Sequence, residues 1–356
     1  MGSKASISRV LSNRHDFLFL FDLIDRPRGG DLSTVPQPSV DQASGCGFIS
    51  DASLKRQIRN FVEKTSLAER GLERDSDCNR NANRYQILLR EGRRAGLEDS
   101  LESRFAQFAK DGTREMPGKR DLRSSSRASE GPMEMLRWLC REFYDIRAFG
   151  CVLSHGHRTM KGSAWGQLRG PVQLSFGRSL HPVLRLPPAG RPGGQPESSD
   201  SSQVPALSTD RGASPGSTAS STHYTYGLYA ARGYVSPSLA ARTGFTEADL
   251  ALLFASLMRL FEGGPVLTRG GMVVRGLYDF EHIGTQPRGN SQQNRREAQL
   301  GCAPSQDLFG GIEIALRSGR VAPFSFADYQ VTCLWEREPL PAGVQLHKRH
   351  EALLVA

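Results

Sequence analysis

The period of the apolar positions changes along this chain, and each change marks an element. Asp16-Phe-Leu-Phe-Leu-Phe-Asp-Leu-Ile24 is a short, nearly continuous apolar run. It reads as a buried strand and is too short to cross a bilayer. From Asp51 to Val62 the period is that of a helix, with Leu54, Ile58, Phe61 and Val62 on one arc. Lys55, Arg56 and Arg59 fall on the opposite arc with Asn60 beside them, and Ser50 or Asp51 supplies an N-cap. One face of this helix is therefore built to pack on a sheet while the other offers cations to an anion.

Residues 63–130 are dense in charge and poor in large apolar side chains, with helical character over 66–74 and 97–110 and exposed linker from Arg114 to Ser129. Pro132 opens a helix whose Met135, Leu136, Leu139 and Phe143 share a side. Gly166 to Phe176 alternates Val172, Leu174 and Phe176 against Gln173, Ser175 and Gly177, as a half-buried strand does. Residues 185–222 are rich in Pro, Gly and Ser and read as a mobile loop. One or two strands follow over His223–Tyr229 and Gly233–Ser236. Thr246-Glu-Ala-Asp249 is a capping box that starts a helix through Leu250, Leu253, Phe254, Leu257 and Phe261, stopped by Gly263-Gly-Pro265. Met272–Phe280 is a further strand, residues 284–305 read as polar loop, and Phe324–Cys333 contains a last strand.

Strand, helix, strands, helix, strand is the order of an α+β protein with a modified RRM-like, ferredoxin-type antiparallel sheet. The expected core is discontinuous, over 13–64 and 132–345. A charged helical insertion occupies 65–131, a flexible loop or thumb 185–222, and a tail 346–356.

Charge adds a direction to this frame. Lys and Arg exceed Asp and Glu by nine, and the sequence pI is about 9.5. That balance favours a polyanionic partner. The six cysteines have no C-x-x-C spacing and read as reduced thiols of a cytoplasmic protein. No apolar run reaches the length of a membrane span and no signal-peptide pattern precedes residue 30, so no membrane partner is expected. Single-stranded RNA on a sheet scaffold needs cations for phosphate and flat side chains for bases. The best cations are Lys55, Arg56 and Arg59 on the helix, Arg26 and Arg28 in the turn-rich segment after the first strand, and Arg169 in Gln167-Leu-Arg-Gly. Gly29 and Gly30 let backbone amides approach a phosphate with no Cβ in the way. Each has a plainer use: Arg169 could pair with a buried carboxylate, and Gly29-Gly30 could simply turn the chain. Cys151-x-x-x-His155-x-His157 holds zinc-type donors, but no fourth ligand stands at a suggestive spacing, and no metal or cofactor is expected. Nucleotide-binding and hydrolase fingerprints are absent from the sequence.

Several words of the sequence, in order, resemble one family. Phe19-Leu-Phe-Asp22, Gly30-Asp31 and Ser50-Asp-Ala-Ser-Leu-Lys-Arg-Gln-Ile-Arg-Asn60 come first. Phe143-Tyr-Asp-Ile-Arg-Ala-Phe-Gly150 and Gly166-Gln-Leu-Arg-Gly-Pro-Val-Gln-Leu-Ser-Phe176 follow, running on through Arg178-Ser179 and Pro182-Val183. Together they resemble the Cas-seven backbone subunits of CRISPR Cascade complexes, type I-C in particular. The resemblance covers roughly 13–62, 134–183, 223–283 and 306–345. It implies a subunit without enzymatic activity that coats a guide RNA (crRNA) in several copies, beside other Cascade subunits, and presents it to target DNA in antiviral defence. It adds Asn60, Gln167 and His223 to the RNA-contacting set. Where the family is similar to Gly-Arg-Lys-His-x-x-Pro-Tyr-Gly-Leu-Tyr, this chain has Ala219-Ser-Ser221 and Thr225. That departure removes or relocates a basic contact. The alternative is a metal-dependent ribonuclease like the type III backbone subunits. Aligned on Asp41, their acting acid falls here on Val35, which cannot transfer a proton, and Asp31 is the residue on which that alternative depends.

Overall fold

In the computed structural model, residues 9–23, 39–72, 84–89, 130–152, 167–186, 223–262, 271–286 and 291–351 are described. In chain order the elements begin with β1 (His15–Leu23), β2 (Ser39–Val40), β3 (Cys46–Ile49), α1 (Asp51–Leu72), α2 (Glu130–Glu142) and α3 (Tyr144–Phe149). Next come β4 (Gly150–Val152), β5 (Gln167–Arg169), β6 (Val172–Leu174), β7 (Gly177–Pro182), β8 (Arg185–Leu186), β9 (His223–Tyr224) and β10 (Gly227–Val235). Helices α4 (Pro237–Thr243) and α5 (Glu247–Met258), strand β11 (Met272–His282) and helices α6 (Ser291–Leu300) and α7 (Ser305–Gly310) follow. Strands β12 (Ile312–Leu316), β13 (Tyr329–Cys333) and β14 (Val344–Glu351) end the series.

The main sheet runs β14-β11-β1-β10-β7-β3-β2, with β6 also on β10, and its pairings are antiparallel. Its centre, β11-β1-β10-β7, is linked in chain order as β1, α1, β7, β10, α5, β11. That is the split β-α-β connectivity of the ferredoxin-type sheet, and it bears out the expected α+β class. Every residue of β1 is buried, because both faces of the sheet are covered. Phe17, Phe19, Phe21 and Leu23 point into the layer formed with α1 and α5, against Leu54, Ile58, Val62, Leu250, Leu253, Phe254 and Leu257. Leu18 and Leu20 point the other way and meet Tyr278, Phe280, Leu308, Phe309 and Ile312 beneath the C-terminal layer. A strand with two apolar environments loses the alternation of a half-buried one, which is why its sequence reads as a continuous run.

Local chemistry fixes the helix starts. Ser50 Oγ accepts from Ser53 N at 3.2 Å, so Ser50 and not Asp51 caps α1, while Asp51 pairs with Lys55 at 2.8 Å. Thr246 and Asp249 form the reciprocal capping box that the sequence announced for α5. Asp249 does more. Its carboxylate receives Arg147 Nε at 3.0 Å and Nη2 at 2.7 Å, and both side chains are essentially fully buried. The rest of that guanidinium donates to the carbonyls of Cys140 (2.7 Å), Arg141 (3.3 Å) and Arg84 (3.3 Å).

Four expectations need correction. The run 166–176 is two strands, not one: β5 pairs with β4 and β6 with β10, and Gly170-Pro171 divides them. Gly150, at φ +80°, and Gly170 meet there so closely that a Cβ on either would lie under 2.7 Å from backbone of the other strand. Phe176, expected inward with Val172 and Leu174, is exposed. Within the polar segment 284–305 stands α6, whose only fully buried side chain is Ala298, so no apolar stripe betrays it. The sheet continues past residue 345 into the expected tail, because β14 pairs with β11 from Val344 to Glu351. Most of 65–131 and 185–222 lies outside the described residues.

Two outcomes follow from this packing. Arg147→Met leaves Asp249 buried with one of its charged partners gone, so unfolding free energy should fall by about 3–5 kcal/mol in urea titration; a loss under about 1 kcal/mol would refute the anchoring role. His15 is the second. Burial opposes its charge, but the 2.9 Å hydrogen bond to Asp279 and nearby carboxylates outweigh burial and raise its pKa above the ordinary value. Its contribution is therefore complete below about pH 6.5 and lost as pH rises through the higher folded value. Wild type should lose stability across that window, and His15→Gln should not; parallel pH profiles would contradict the assignment.

Candidate nucleic-acid interface

A helix that buries Leu54, Ile58 and Val62 must turn its intervening positions outward, and these are the cations Lys55, Arg56 and Arg59. They are not a free solvated row. The Lys55 and Arg59 side chains are only 19% and 16% exposed. Arg59 Nε donates to Asp145 Oδ2 at 3.2 Å, and the same buried carboxylate accepts the backbone amides of Leu88 and Leu89, each at 3.0 Å. Lys55 Nζ and Arg59 Cζ also stand 5.9 and 5.2 Å from the ring centre of Phe149, at the end of α3. Arg56 and Asn60 are half-buried beside them.

Phe149 carries this group to the next one. The residue after it, Gly150, is the register partner of Arg169, so the β4–β5 hairpin begins where the helix cations end. Gln167 and Arg169 are exposed on that hairpin. The structure thus brings Lys55, Arg59, Phe149 and Arg169 into one neighbourhood. His223 is in β9, where it is the register partner of Leu186 in a two-stranded ribbon. Arg26, Arg28, Gly29, Gly30, Asp31 and Val35 lie outside the described residues. Before them, near the end of β1, Asp22 accepts Arg275 Nε at 2.7 Å and Tyr226 Oη at 3.1 Å. Burial raises the pKa of that carboxyl in spite of the arginine.

Sequence reasoning missed Asp145. Its signal was present in the Phe-Tyr-Asp-Ile-Arg word, but nothing local shows that its partner is 86 residues away. The zinc pattern gains nothing. Burial pushes the Cys151 thiol up to about 12, the opposite of what a zinc thiolate needs, and His155 and His157 lie outside the described residues. Among the described residues no group of three metal-type side chains converges, and no helix is long and apolar enough to cross a membrane. The five described cysteines are free thiols.

A family model described as CRISPR-associated protein Cas7 matches residues 13–334. Two solved structures are similar to the chain. One is titled a CRISPR RNA-guided surveillance complex, pre-nicking, at 13% identity and TM-score 0.34, covering 76% of this chain and 78% of that one. The other is titled a CRISPR RNA-guided surveillance complex, at 11% identity and TM-score 0.31, covering 76% and 69%. No curated protein matches the sequence.

The two basic side chains of α1 that face Phe149 should separate on substitution. Arg59→Met removes a charged hydrogen bond to a buried carboxylate and should cost about 1–3 kcal/mol of unfolding free energy. Lys55→Met breaks an i,i+4 helix pair with a partly exposed aspartate and should cost about 0.3–0.5 kcal/mol. Equal costs would show that Arg59 is not a structural tie.

Proposed function

The chain belongs to the CRISPR-associated protein Cas7 family, and from that premise we propose that it is a guide-RNA-binding backbone subunit of a type I-C surveillance complex. It repeats head to tail along the guide and presents it for pairing with target DNA. The observation that carries this reading is the family match, which spans the basic helix and the Arg169 hairpin alike. The side-chain arrangement supports it. Lys55, Arg56 and Arg59 lie along α1, and Phe149 joins them to an exposed Arg169, a layout suited to following a phosphate backbone. Arg26, Arg28, Gly29, Gly30, Asn60, Gln167 and His223 belong to the same proposed contact set. Coating a guide breaks no bond, so this role needs no general acid, metal or cofactor. With a net charge of +9, stacked copies repel unless a polyanion lies between them. The 187–222 segment leaves and returns at the paired residues Leu186 and His223, a suitable root for an arm to a neighbouring copy.

Two measurements test the reading. Lys55→Ala with Arg56→Ala, which spares the Arg59 tie, should weaken binding to all RNA sequences alike. It should also flatten the log–log salt slope by about 0.7 for each lost phosphate contact. An unchanged slope in the folded double variant would remove α1 from the interface. In native mass spectrometry the bound copies should rise stepwise with RNA length, as an open head-to-tail assembly requires. A fixed stoichiometry would refute assembly along the guide. Cleavage of complementary RNA with Mg²⁺, abolished by Asp31→Ala, would replace a coating role with a nuclease.

A further inference from the structure

The C-terminal layer does not cover the whole outer face of the sheet. Its contacts reach Leu18 and Leu20 on β1, Tyr278 and Phe280 on β11, Leu228 and Ala230 on β10, and Leu180 on β7. Beyond them, toward β3, the outer face holds Phe48, Phe176 and Arg178. Phe48 and Arg178 are register partners across β3 and β7. Phe176 is 58% exposed, and its ring centre lies 6.2 Å from that of Phe48 at an interplanar angle of 56°.

Strict alternation from Val172 and Leu174 would have sent Phe176 into the core. A β-bulge prevents this. Leu174 pairs with Gly233 but Arg178 pairs with Ala230, so the β6–β7 side carries one residue more than β10. The extra residue lies at Ser175-Phe176, where Ser175 N donates to Arg232 O at 2.8 Å and Ser175 Oγ accepts from Arg232 N at 2.9 Å. Bulges re-aim side chains, and this one turns a large aromatic to solvent. Gly177 then faces inward, where a Cβ would lie 2.7 Å from the Phe21 ring.

We propose that Phe176 and Phe48 form a stacking platform for bases of single-stranded RNA, with Arg178 and Arg232 on the adjoining phosphates. This deepens the guide-RNA reading and rests on it. Two features favour RNA as the occupant. Both aromatics are flanked by exposed arginines, the complement of a polyanion with flat bases. The strand that carries Phe48 also continues through Ser50 into the basic helix, so a single residue of chain separates β3 from the start of α1. Arg178 is oriented by Ser44 Oγ at 3.2 Å and by exposed Asp41 at 3.5 Å, and such an exposed ion pair yields readily to a phosphate. Arg232 lies with its guanidinium 5.6 Å from the Phe309 ring centre, at the rim of the C-terminal layer.

The test compares full-length wild type, Phe176→Ala and Phe176→Trp on single-stranded RNA and on an abasic strand of equal length. Phe176→Ala should weaken RNA binding roughly 5- to 150-fold, the stacking free energy per base expressed as an affinity ratio. Its affinity for the abasic strand and its salt slope should stay at wild-type values. Phe176→Trp should restore RNA affinity, and its added fluorescence should be quenched by RNA and not by the abasic strand. Equal loss on both strands, or no loss on either, would overturn the platform while leaving the guide-RNA reading standing. Unchanged affinity with fewer copies per RNA would also overturn it, marking the face as a contact between subunits. Failure of wild type to bind RNA at all would instead remove the functional reading beneath it.

Discussion

One buried ion pair ties the helical layer together. Arg147 and Asp249 meet through two hydrogen bonds where water cannot solvate either charge. Such a pair survives only if the remaining donors and lone pairs are also satisfied, and here they are. Asp249 closes the first turn of α5, while Arg147 takes up carbonyls at the end of α2 and at Arg84. Two positions earlier Asp145 faces Arg59 of α1, and two positions later Phe149 lies beneath the cations of the same helix. The six residues of α3 therefore connect both helices that cover the inner face of the sheet. The position of the basic face of α1 depends on that connection.

Coverage of both sheet faces has a consequence for recognition. An RRM offers the open face of its sheet to bases. Here Leu18, Leu20, Tyr278 and Phe280 on that face are under the C-terminal layer. Polar chemistry is displaced to the margins: the outer side of α1, the β4–β5 hairpin and the strip by β3. On the proposed reading such a surface follows an edge, which suits a long polymer better than a small ligand.

What was legible in the sequence was whatever depends on neighbours along the chain. The run from Phe17 to Leu23, the arc of Leu54, Ile58 and Val62, and the Thr246–Asp249 box are local patterns, and each gave its element correctly. Helix α6 was not legible, because a helix that fully buries only Ala298 shows no apolar period. The turning of Phe176 was hidden for another reason: a bulge changes the face without changing the residue pattern. At the site, the segregation of Lys55, Arg56 and Arg59 was readable, but the tie from Arg59 to Asp145 was not. A pairing between residues so far apart in the chain exists only once the core has formed.

Several residues of the family words therefore serve the frame itself. Asp22, Asp145 and Arg147 are internal ties, and Gly150 and Gly170 allow two backbones to touch, so these positions preserve the frame whatever the partner. Thr225, where the resemblance implies proline, has a structural result of its own. Thr225 N donates to Leu184 O at 3.0 Å, and Thr225 Oγ1 accepts from Leu184 N at 2.9 Å. Proline has no N–H and no hydroxyl, so it could make neither bond. These two bonds extend the β8–β9 ribbon by one rung beyond the Arg185–Tyr224 pair.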